Sequence, residues 1–424
     1  MRVIAGCLAV WLLSMGIAYA EDEAAFLVSG GLSGQNGHPR VALNTTDNQY
    51  LIVWGDRLAH KLYGRIASAT GTFAKGPKLL TQKAVGTHYG VAFNSTANEY
   101  LVVWESYSTG LSSQSIYVQR IKKDGSPVGT TLKLAGESKK LNWMPDVVYN
   151  AIDDVYLVVW SKEGLLTKDG GNYSDTTDGL YTRFLDADAK PIGSEALLAK
   201  MAYQLKDDWL IHLGFQGFHI RWQAYNNRYA ILTNHVISTA ESKNQDVEFY
   251  GLKDDGSLAG KMVKTNQTTL GARSGASCFA ENLTTHQWLA GWDDIEKKQR
   301  VEGRVTSRLL GSAGNPAAKP VSVFYNGYTA GTPVAAFDID KGHFLMVYEA
   351  QQKPEEETNF DLFAQFMTSA GALSGKSIVI ASAKTHDAEA DVVYNAVAKN
   401  YLVVYSQLVS KTSYKVYGTF VTPQ

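Results

Sequence analysis

One five-residue apolar segment recurs along this chain and constrains its fold more than any other feature. It reads YLIVW at 50–54, YLVVW at 100–104 and 156–160, and YLVVY at 401–405. Successive side chains of a strand point to opposite faces of the sheet. Both faces of these strands are therefore apolar, whereas a sheet with one face in water alternates apolar and polar residues. Each sheet that contains such a strand must be covered on both sides.

The segment belongs to a longer repeat, which we align on the aromatic residue that precedes or begins each apolar run. The aligned residues are Tyr50, Tyr100, Tyr156, Tyr229, Trp288, Phe344 and Tyr401. Six positions earlier stands a residue suited to begin a hairpin loop: Asn44, Asn94, Asn150, Gln223, Asn282, Asp338 and Asn395. Short apolar runs precede these loops, and two further strand-like runs follow each aligned segment. Each unit is therefore predicted to be a four-stranded antiparallel meander.

Seven such sheets, each apolar on both faces, are best buried by radial stacking. The sequence therefore predicts an all-β fold, a seven-bladed β-propeller of four-stranded antiparallel blades. The last unit, ending KVYGTFVTPQ, lacks a fourth strand, whereas an orphan apolar run follows Ala25. We expect residues 26–29 to complete the seventh blade and to close the ring, which would remove two exposed sheet edges.

The repeated YN…YLVVW pattern resembles that of bacterial exported β-propeller proteins, and the resemblance covers essentially all of the chain after residue 20. It implies a fold more than an activity, because propellers host many functions. The Trp-Asp repeat, the kelch glycine pair, the sialidase box and the tryptophan-docking repeat of quinone dehydrogenases are missing from the sequence. Their absence makes an enzyme less expected than a binding protein.

Residues 1–20 have the composition of a signal peptide. An apolar stretch follows Arg2, and Ala18-Tyr19-Ala20 precedes an acidic segment as a cleavage site. We expect export to the periplasm or the cell exterior, with residues 21–424 forming a single domain. Loss of Arg2 leaves 39 basic and 41 acidic residues, a net charge of about −2, which does not favour nucleic acid as a partner. Cys278 then stands alone, so internal disulfides are not expected.

Two long insertions predict a first candidate site. They occupy 161–179 in blade 3 and 200–217 between blades 3 and 4, and the topology places both on the same face of the ring. Aromatic residues beside carboxylates suit a sugar or a cationic ligand. The candidate ligand-binding residues are Tyr173, Asp175, Asp178, Tyr203, Asp207, Asp208, Trp209 and His212. The alternative is a self-packed pair of loops whose aromatic residues only cap the blades.

The first strands of the blades predict a second candidate site. His38, His88 and Glu389 each lie six positions before a loop residue, in blades that become neighbours when the ring closes. Two imidazoles and a carboxylate suit a divalent metal, the one cofactor that the sequence suggests. The alternative is a set of solvated polar groups at the channel rim. Two positions further along, on the same side of each strand, stand Arg40, Gly90, Asp146, His219, Cys278, Val334 and Asp391.

Three functions remain open from the sequence. The first is a non-enzymatic exported binding or scaffold protein that presents a surface near blades 3 and 4 to a glycan, a peptide or a partner protein. The second is a polysaccharide hydrolase or lyase whose acids are among the loop carboxylates Asp175, Asp178, Asp207 and Asp208. The third is a metal-binding propeller. No segment after residue 20 resembles a membrane span.

Overall fold

The computed structural model describes residues 18–19, 25–107, 113–138, 140–164, 178–200, 215–239, 242–266, 273–295, 303–324, 330–351, 359–383 and 386–423. Over these ranges every regular element is a strand, and no helix there is long and apolar enough to cross a membrane. The chain is a seven-bladed β-propeller of four-stranded antiparallel sheets, as the repeat predicts.

The first half of the chain forms blades 1 to 3. Two short strands come first, β1 (Ala18–Tyr19) and β2 (Phe26–Leu27). Blade 1 contains β3 (Asn36–Asn44), β4 (Gln49–Asp56), β5 (Lys61–Ser68) and β6 (Lys78–Leu79). Blade 2 contains β7 (Val85–Asn94), β8 (Glu99–Ser106), β9 (Ile116–Lys122) and β10 (Pro127–Ala135). Blade 3 contains β11 (Lys140–Asn150), β12 (Val155–Gly164), β13 (Gly179–Asp186) and β14 (Pro191–Lys200).

The second half forms blades 4 to 7. Blade 4 contains β15 (Phe215–Gln223), β16 (Arg228–Thr239), β17 (Ser242–Leu252) and β18 (Val263–Lys264). Blade 5 contains β19 (Arg273–Glu281), β20 (Trp288–Ile295), β21 (Gly303–Leu310) and β22 (Val321–Phe324). Blade 6 contains β23 (Ala330–Asp338), β24 (His343–Ala350), β25 (Asp361–Thr368) and β26 (Leu373–Ala381). Blade 7 contains β27 (Asp387–Asn395), β28 (Asn400–Ser410) and β29 (Ser413–Val421).

The fourth strand of blade 7 comes from the start of the chain, which confirms the predicted closure. β2 pairs antiparallel with β29, with Phe26 opposite Gly418 and Leu27 opposite Tyr417. The pairing continues past β2, since the Val28 N–H donates to Val416 O at 2.9 Å. The ring is therefore held shut by hydrogen bonds between the two ends of the chain. β1 makes a separate, parallel pair with β26 at the outer edge of blade 6.

The second strand of each blade packs between the two neighbouring blades, because both of its faces are apolar. In β4, Tyr50, Ile52 and Trp54 contact the strand β28 of blade 7. The alternate residues Leu51 and Val53 pack against blade 2. The described residues form seven apolar clusters of this kind, one at each interface between blades. Burying each large side chain contributes roughly 1.5–3 kcal/mol, so the interfaces are the main source of stability.

The hairpin loops show why the repeat carries asparagine. Asn44 Oδ1 accepts hydrogen bonds from the N–H groups of Thr46 and Asp47 at 2.9 and 2.8 Å, which fixes the turn. Its Nδ2 donates to Asn98 Oδ1 of the next blade at 2.8 Å. Asn98 itself has φ 53°, a conformation that asparagine tolerates better than most residues. One amide thus holds a loop and ties two blades together.

Candidate functional site

Each first strand is interrupted by a β-bulge near its start. In β3 the pairing register shifts between Gly37 and Arg40, and in β27 it shifts between Ala388 and Asp391. A bulge bends the strand and re-aims the side chains around it. The residue six positions before the loop has a positive φ of 46–58° in five blades: His38, Met144, Gly217, Thr332 and Glu389.

Carboxylates of the preceding blade hold these bulges. Glu105 Oε2 accepts the N–H of Met144 at 2.8 Å, and Glu389 Oε2 accepts the N–H of His38 at 2.9 Å. The N–H of Glu389 is in turn bonded to Glu349 Oε1 at 2.7 Å. The carboxylates of Glu105, Glu349 and Glu389 therefore have structural partners, and hydrogen bonds to the next blade fix their geometry.

The first strands of all seven blades surround one central cavity of about 600 Å³. Its lining changes in character along its length. The apolar and aromatic side chains Phe93, Val148, Trp222 and Phe337 lie toward the hairpin loops, where the charged Arg221 and Glu281 also lie, whereas Arg40, His88, Asp146 and Asp391 lie nearer the strand starts. One residue from each blade, in ring order, illustrates the shared lining: Arg40, His88, Asp146, His219, Glu281, Ala335 and Asp391.

Two carboxylates of the cavity are anchored in the same way on different sides of the ring. Asp391 of blade 7 accepts the N–H of Val41 in blade 1 and the N–H of Val392, both at 2.9 Å. Asp146 of blade 3 accepts the N–H of Ile220 in blade 4 at 3.1 Å and that of Val147 at 2.9 Å. Each carboxylate therefore bridges two blades, and backbone donors fix its position.

Two guanidinium groups accompany these carboxylates. Arg40 precedes Val41 and Arg221 follows Ile220, so each arginine neighbours the residue whose N–H binds the aspartate. Arg40 donates to Pro39 O at 3.3 Å, and Arg221 donates to Ile220 O at 2.9 Å. In the described part of the chain neither arginine makes a salt bridge. We call Arg40, Arg221, Asp146 and Asp391 the channel quartet.

The quartet is coupled electrostatically although no direct ion pair joins it. Burial raises the pKa of Asp146 and of Asp391 above the usual aspartate value. The positive charges of both arginines partly offset this rise at both carboxyl groups. The charged groups of the quartet therefore influence one another across the cavity that they line.

The predicted metal ligands fall into two separate histidine–glutamate contacts. His38 Nε2 lies 3.2 Å from Glu389 Oε1, so this part of the set does come together. His88 Nδ1 pairs with Glu105 Oε1 at 2.9 Å instead. Arg57, from the turn after β4, binds Glu389 and lies 2.7 Å from His38 Nε2. A protein cation thus stands where the metal was expected.

The charge state of His38 follows from this arrangement. Burial, followed by the nearby positive charge of Arg57, holds its pKa well below the ordinary histidine value, so the ring is neutral at pH 7. Among the described residues, no group of three His, Cys, Asp or Glu side chains could hold a metal ion. The metal site stays a hypothesis that this geometry does not favour, and elemental analysis of protein purified without a His tag would test it.

Most of the predicted blade 3 and blade 4 surface lies outside the described residues. Tyr173, Asp175, Tyr203, Asp207, Asp208, Trp209 and His212 belong to that undescribed part. Asp178 is described: its side chain is buried and lies 2.7 Å from Lys140 Nζ. Asp178 and Lys140 therefore form a structural ion pair. Both insertions are anchored at the face where the first strands begin, because β12 ends there and β15 starts there.

Cys278 is buried in β19, and burial raises the pKa of its thiol to about 12. The thiol is therefore protonated, and Cys278 suits the role of a small buried apolar residue better than that of a nucleophile.

Neither a family model nor a curated protein matches this sequence. Solved structures do resemble the fold. A PL25 ulvan lyase superposes with a TM-score of 0.59 at 8% identity, covering 93% of this chain and 96% of that chain. A PL25 ulvan lyase bound to a glucuronate and rhamnose-sulfate ligand gives 0.57 at 8% identity, with the same coverage. The α-L-arabinanase of Penicillium chrysogenum, complexed with arabinobiose, gives 0.51 at 11% identity, covering 94% and 98%. At such identities the likeness shows a shared fold.

Proposed function

We propose that this chain is an exported carbohydrate-binding propeller whose ligand occupies the central cavity. The observation that carries the proposal is the channel quartet, which presents charged acceptors and charged donors to one cavity of about 600 Å³. Cavities of roughly 300–1,000 Å³ with a few convergent polar groups are typical small-molecule sites. The central cavity replaces the surface of the two insertions as the proposed ligand site. Both insertions are anchored at the face of the ring where the first strands begin.

Saccharides suit such a lining for a chemical reason. A sugar hydroxyl both donates and accepts hydrogen bonds, so it can bridge a guanidinium such as Arg40 and a carboxylate such as Asp391. The face of a sugar ring is apolar and packs on aromatic side chains, and the half-buried Trp222 lines the cavity beyond the quartet. A peptide or a partner protein would need an open surface more than an internal cavity.

The structural likenesses support the ligand class. Two of the similar propellers hold saccharides in their structures. They are examples of what this fold can hold, and they do not carry their own substrates over to this chain.

Glycan-array screening of the purified protein, followed by calorimetry, tests the proposal. We expect binding to at least one oligosaccharide, and we expect His88→Trp to weaken it at least tenfold because the indole adds bulk at the cavity wall. Leu58→Trp is the matched control, since Leu58 is 65% exposed on a turn and does not line the cavity. Binding that is unaffected by His88→Trp in a folded variant, or no binding to any saccharide, would overturn the proposal.

A polysaccharide hydrolase or lyase is the second candidate, favoured by one observation. Asp146 and Asp391 share a cavity, and burial raises the pKa of both; a carboxyl group that holds its proton at higher pH is suited to act as a general acid. In that case the wild-type protein should release sugar products and a folded Asp146→Asn variant should not. Persistent turnover by both Asp146→Asn and Asp391→Asn would exclude this pair as the acids.

We also propose that residues 1–20 are removed on export, so that the mature chain begins at Glu21. Intact mass measurement of the protein recovered from the periplasm or medium tests this. Recovery of a chain that retains Ala18 and Tyr19, the residues of β1, would contradict it.

A further inference from the structure

We propose that the ligand of the central cavity is an acidic saccharide, and that Arg40 and Arg221 bind its carboxylate or sulfate groups. The inference rests on the proposed carbohydrate-binding function and narrows its ligand class. It depends on how the four members of the channel quartet are already bonded, which differs between the arginines and the aspartates.

The aspartates are largely satisfied by the protein. Both oxygens of Asp391 accept backbone N–H groups at 2.9 Å, and both oxygens of Asp146 do so at 2.9 and 3.1 Å. One bond of each aspartate joins adjacent blades, so each carboxylate has a structural purpose without any ligand.

The arginines are not satisfied in the same way. A guanidinium carries five N–H donors in a planar fork. In the described chain, Arg40 donates to a backbone carbonyl at 3.3 Å and Arg221 to one at 2.9 Å. The Arg221 guanidinium also lies over the Phe279 ring, 5.6 Å from its centroid, a contact that uses no N–H acceptor. Most donors on each side chain therefore have no protein acceptor among the described residues. Both side chains are half-buried against the cavity rather than extended into bulk water.

Unsatisfied cationic donors in a partly enclosed space select anions. Arginine binds carboxylate and sulfate-like oxyanions through two parallel hydrogen bonds, which are about twice as strong as bonds between neutral groups. A hydroxyl of a neutral sugar could accept one N–H of a guanidinium, whereas an acidic group could accept two N–H groups at once. Glu281, the other acid of the cavity lining, contacts His286 at 3.3 Å and Gln223 at 3.2 Å through Oε1, and among the described residues it makes no salt bridge with either arginine.

The two arginines come from blades 1 and 4, on different sides of the ring, and do not form one cluster. This placement suits a ligand with acidic groups on more than one sugar unit. Removal of either arginine should then weaken binding of the acidic saccharide. Removal of both should abolish the preference for acidic over neutral saccharides.

Calorimetry with matched probes tests the inference. Trigalacturonate is compared with its methyl ester, which has the same sugars without charge, and maltotriose is compared with sulfated maltotriose to separate carboxylate from sulfate. The wild-type protein should bind at least one acidic probe about tenfold to hundredfold more tightly than its neutral counterpart. Arg40→Gln and Arg221→Gln should each reduce that ratio at least fivefold.

Arg228→Gln is the matched control, because Arg228 is exposed at the start of β16 and does not line the cavity; it should keep the wild-type ratio. If Arg40→Gln fails to fold, Arg40→Lys takes its place in the test. Lysine keeps the positive charge and loses the planar set of donors, so this variant should retain part of the acidic-to-neutral affinity ratio. Raising the ionic strength should also lower the wild-type ratio.

Equal binding of acidic and neutral probes, with ratios unchanged in the folded variants, would overturn the acidic ligand while leaving carbohydrate binding intact. Failure of every probe and every array saccharide to bind would overturn both.

Discussion

Asn395 shows how one side chain satisfies two demands of a propeller at once. Its Oδ1 accepts the N–H groups of Val397 and Ala398, both at 3.0 Å, and so holds the hairpin loop of blade 7. Its Nδ2 donates to Asn48 Oδ1 at 2.7 Å and to the Tyr50 hydroxyl at 2.8 Å in blade 1. Aspartate lacks the donor and alanine lacks both functions, which explains why the repeat uses an amide at most of these loops.

A double-mutant cycle measures the link between blades 7 and 1. Asn395→Ala should lower the unfolding free energy by about 2–4 kcal/mol, since it leaves buried donors and acceptors unpaired. Tyr50→Phe should cost about 1 kcal/mol. The double variant should be less destabilised than the sum by about 0.5–1.5 kcal/mol, measured by denaturant unfolding. Strict additivity would mean that the two side chains do not interact across the interface.

Glu349 makes stability depend on pH. Burial raises its pKa from 4.5 to about 7. Between these values the folded chain keeps a proton that the unfolded chain releases, so stability falls as the pH rises. Glu349→Gln cannot ionise and still offers an oxygen to the N–H of Glu389. The variant should match wild type near pH 4 and exceed it by up to about 3 kcal/mol at pH 8. Thermal unfolding at both pH values tests this; an identical slope in the two proteins would show that Glu349 ionises normally.

Sequence reasoning could place some residues of the site and not others. Repeat alignment puts Arg40, Asp146 and Asp391 at equivalent positions, and Arg221 lies two positions further along the same face of its strand, where the same alignment could have found it. The alignment cannot show that Arg57 binds Glu389, because Arg57 stands in a turn and its partner is far away in the chain. That contact depends on ring closure and is visible only in three dimensions.

The closing strand β2 is short, and its side chains supplement its few hydrogen bonds. The Phe26 ring lies 5.7 Å from that of Phe73 and 5.6 Å from that of Phe420. It also fills the space beside Gly71 and Gly418, where an added Cβ would lie 2.7 and 2.6 Å from the ring. One aromatic residue thus joins the first and last blades.

Phe26→Ala should therefore lower the unfolding free energy by about 2–4 kcal/mol through lost packing, measured by denaturant unfolding. Leu27→Ala is the matched control in the same strand, because Leu27 is 40% exposed, and it should cost under about 1 kcal/mol. Deletion of residues 21–30 should cost more than either variant, since it exposes the edge of β29. Equal effects of the two alanine variants would indicate that closure depends on backbone pairing alone.

Strand order and closure could be predicted because both depend on the periodicity of apolar residues, which can be read directly from the sequence. The bulges could not. They place His38, Met144, Thr332 and Glu389 at positive φ, and of these residue types only histidine is enriched in that conformation. The bulge is imposed by a carboxylate of the preceding blade, as with Glu105 and the N–H of Met144. It is a property of neighbouring elements rather than of a local sequence.

The whole ring is needed to assemble the cavity. Arg40 and Asp391 lie near opposite ends of the chain, and closure makes their blades neighbours. Blades 3 and 4 supply Asp146 and Arg221 by the same bridge from an aspartate to the next blade. Seven apolar interfaces hold these pairs at fixed positions around about 600 Å³ of space. The cavity and the stability of the fold therefore depend on the same closure.

A crystal structure of the protein soaked or co-crystallised with trigalacturonate tests the central claim most directly. The account predicts the saccharide within the central cavity, with an acidic group bonded to Arg40 or Arg221. A saccharide bound only elsewhere, for example on the insertions at 161–179 and 200–217, with the cavity holding solvent alone, would contradict it.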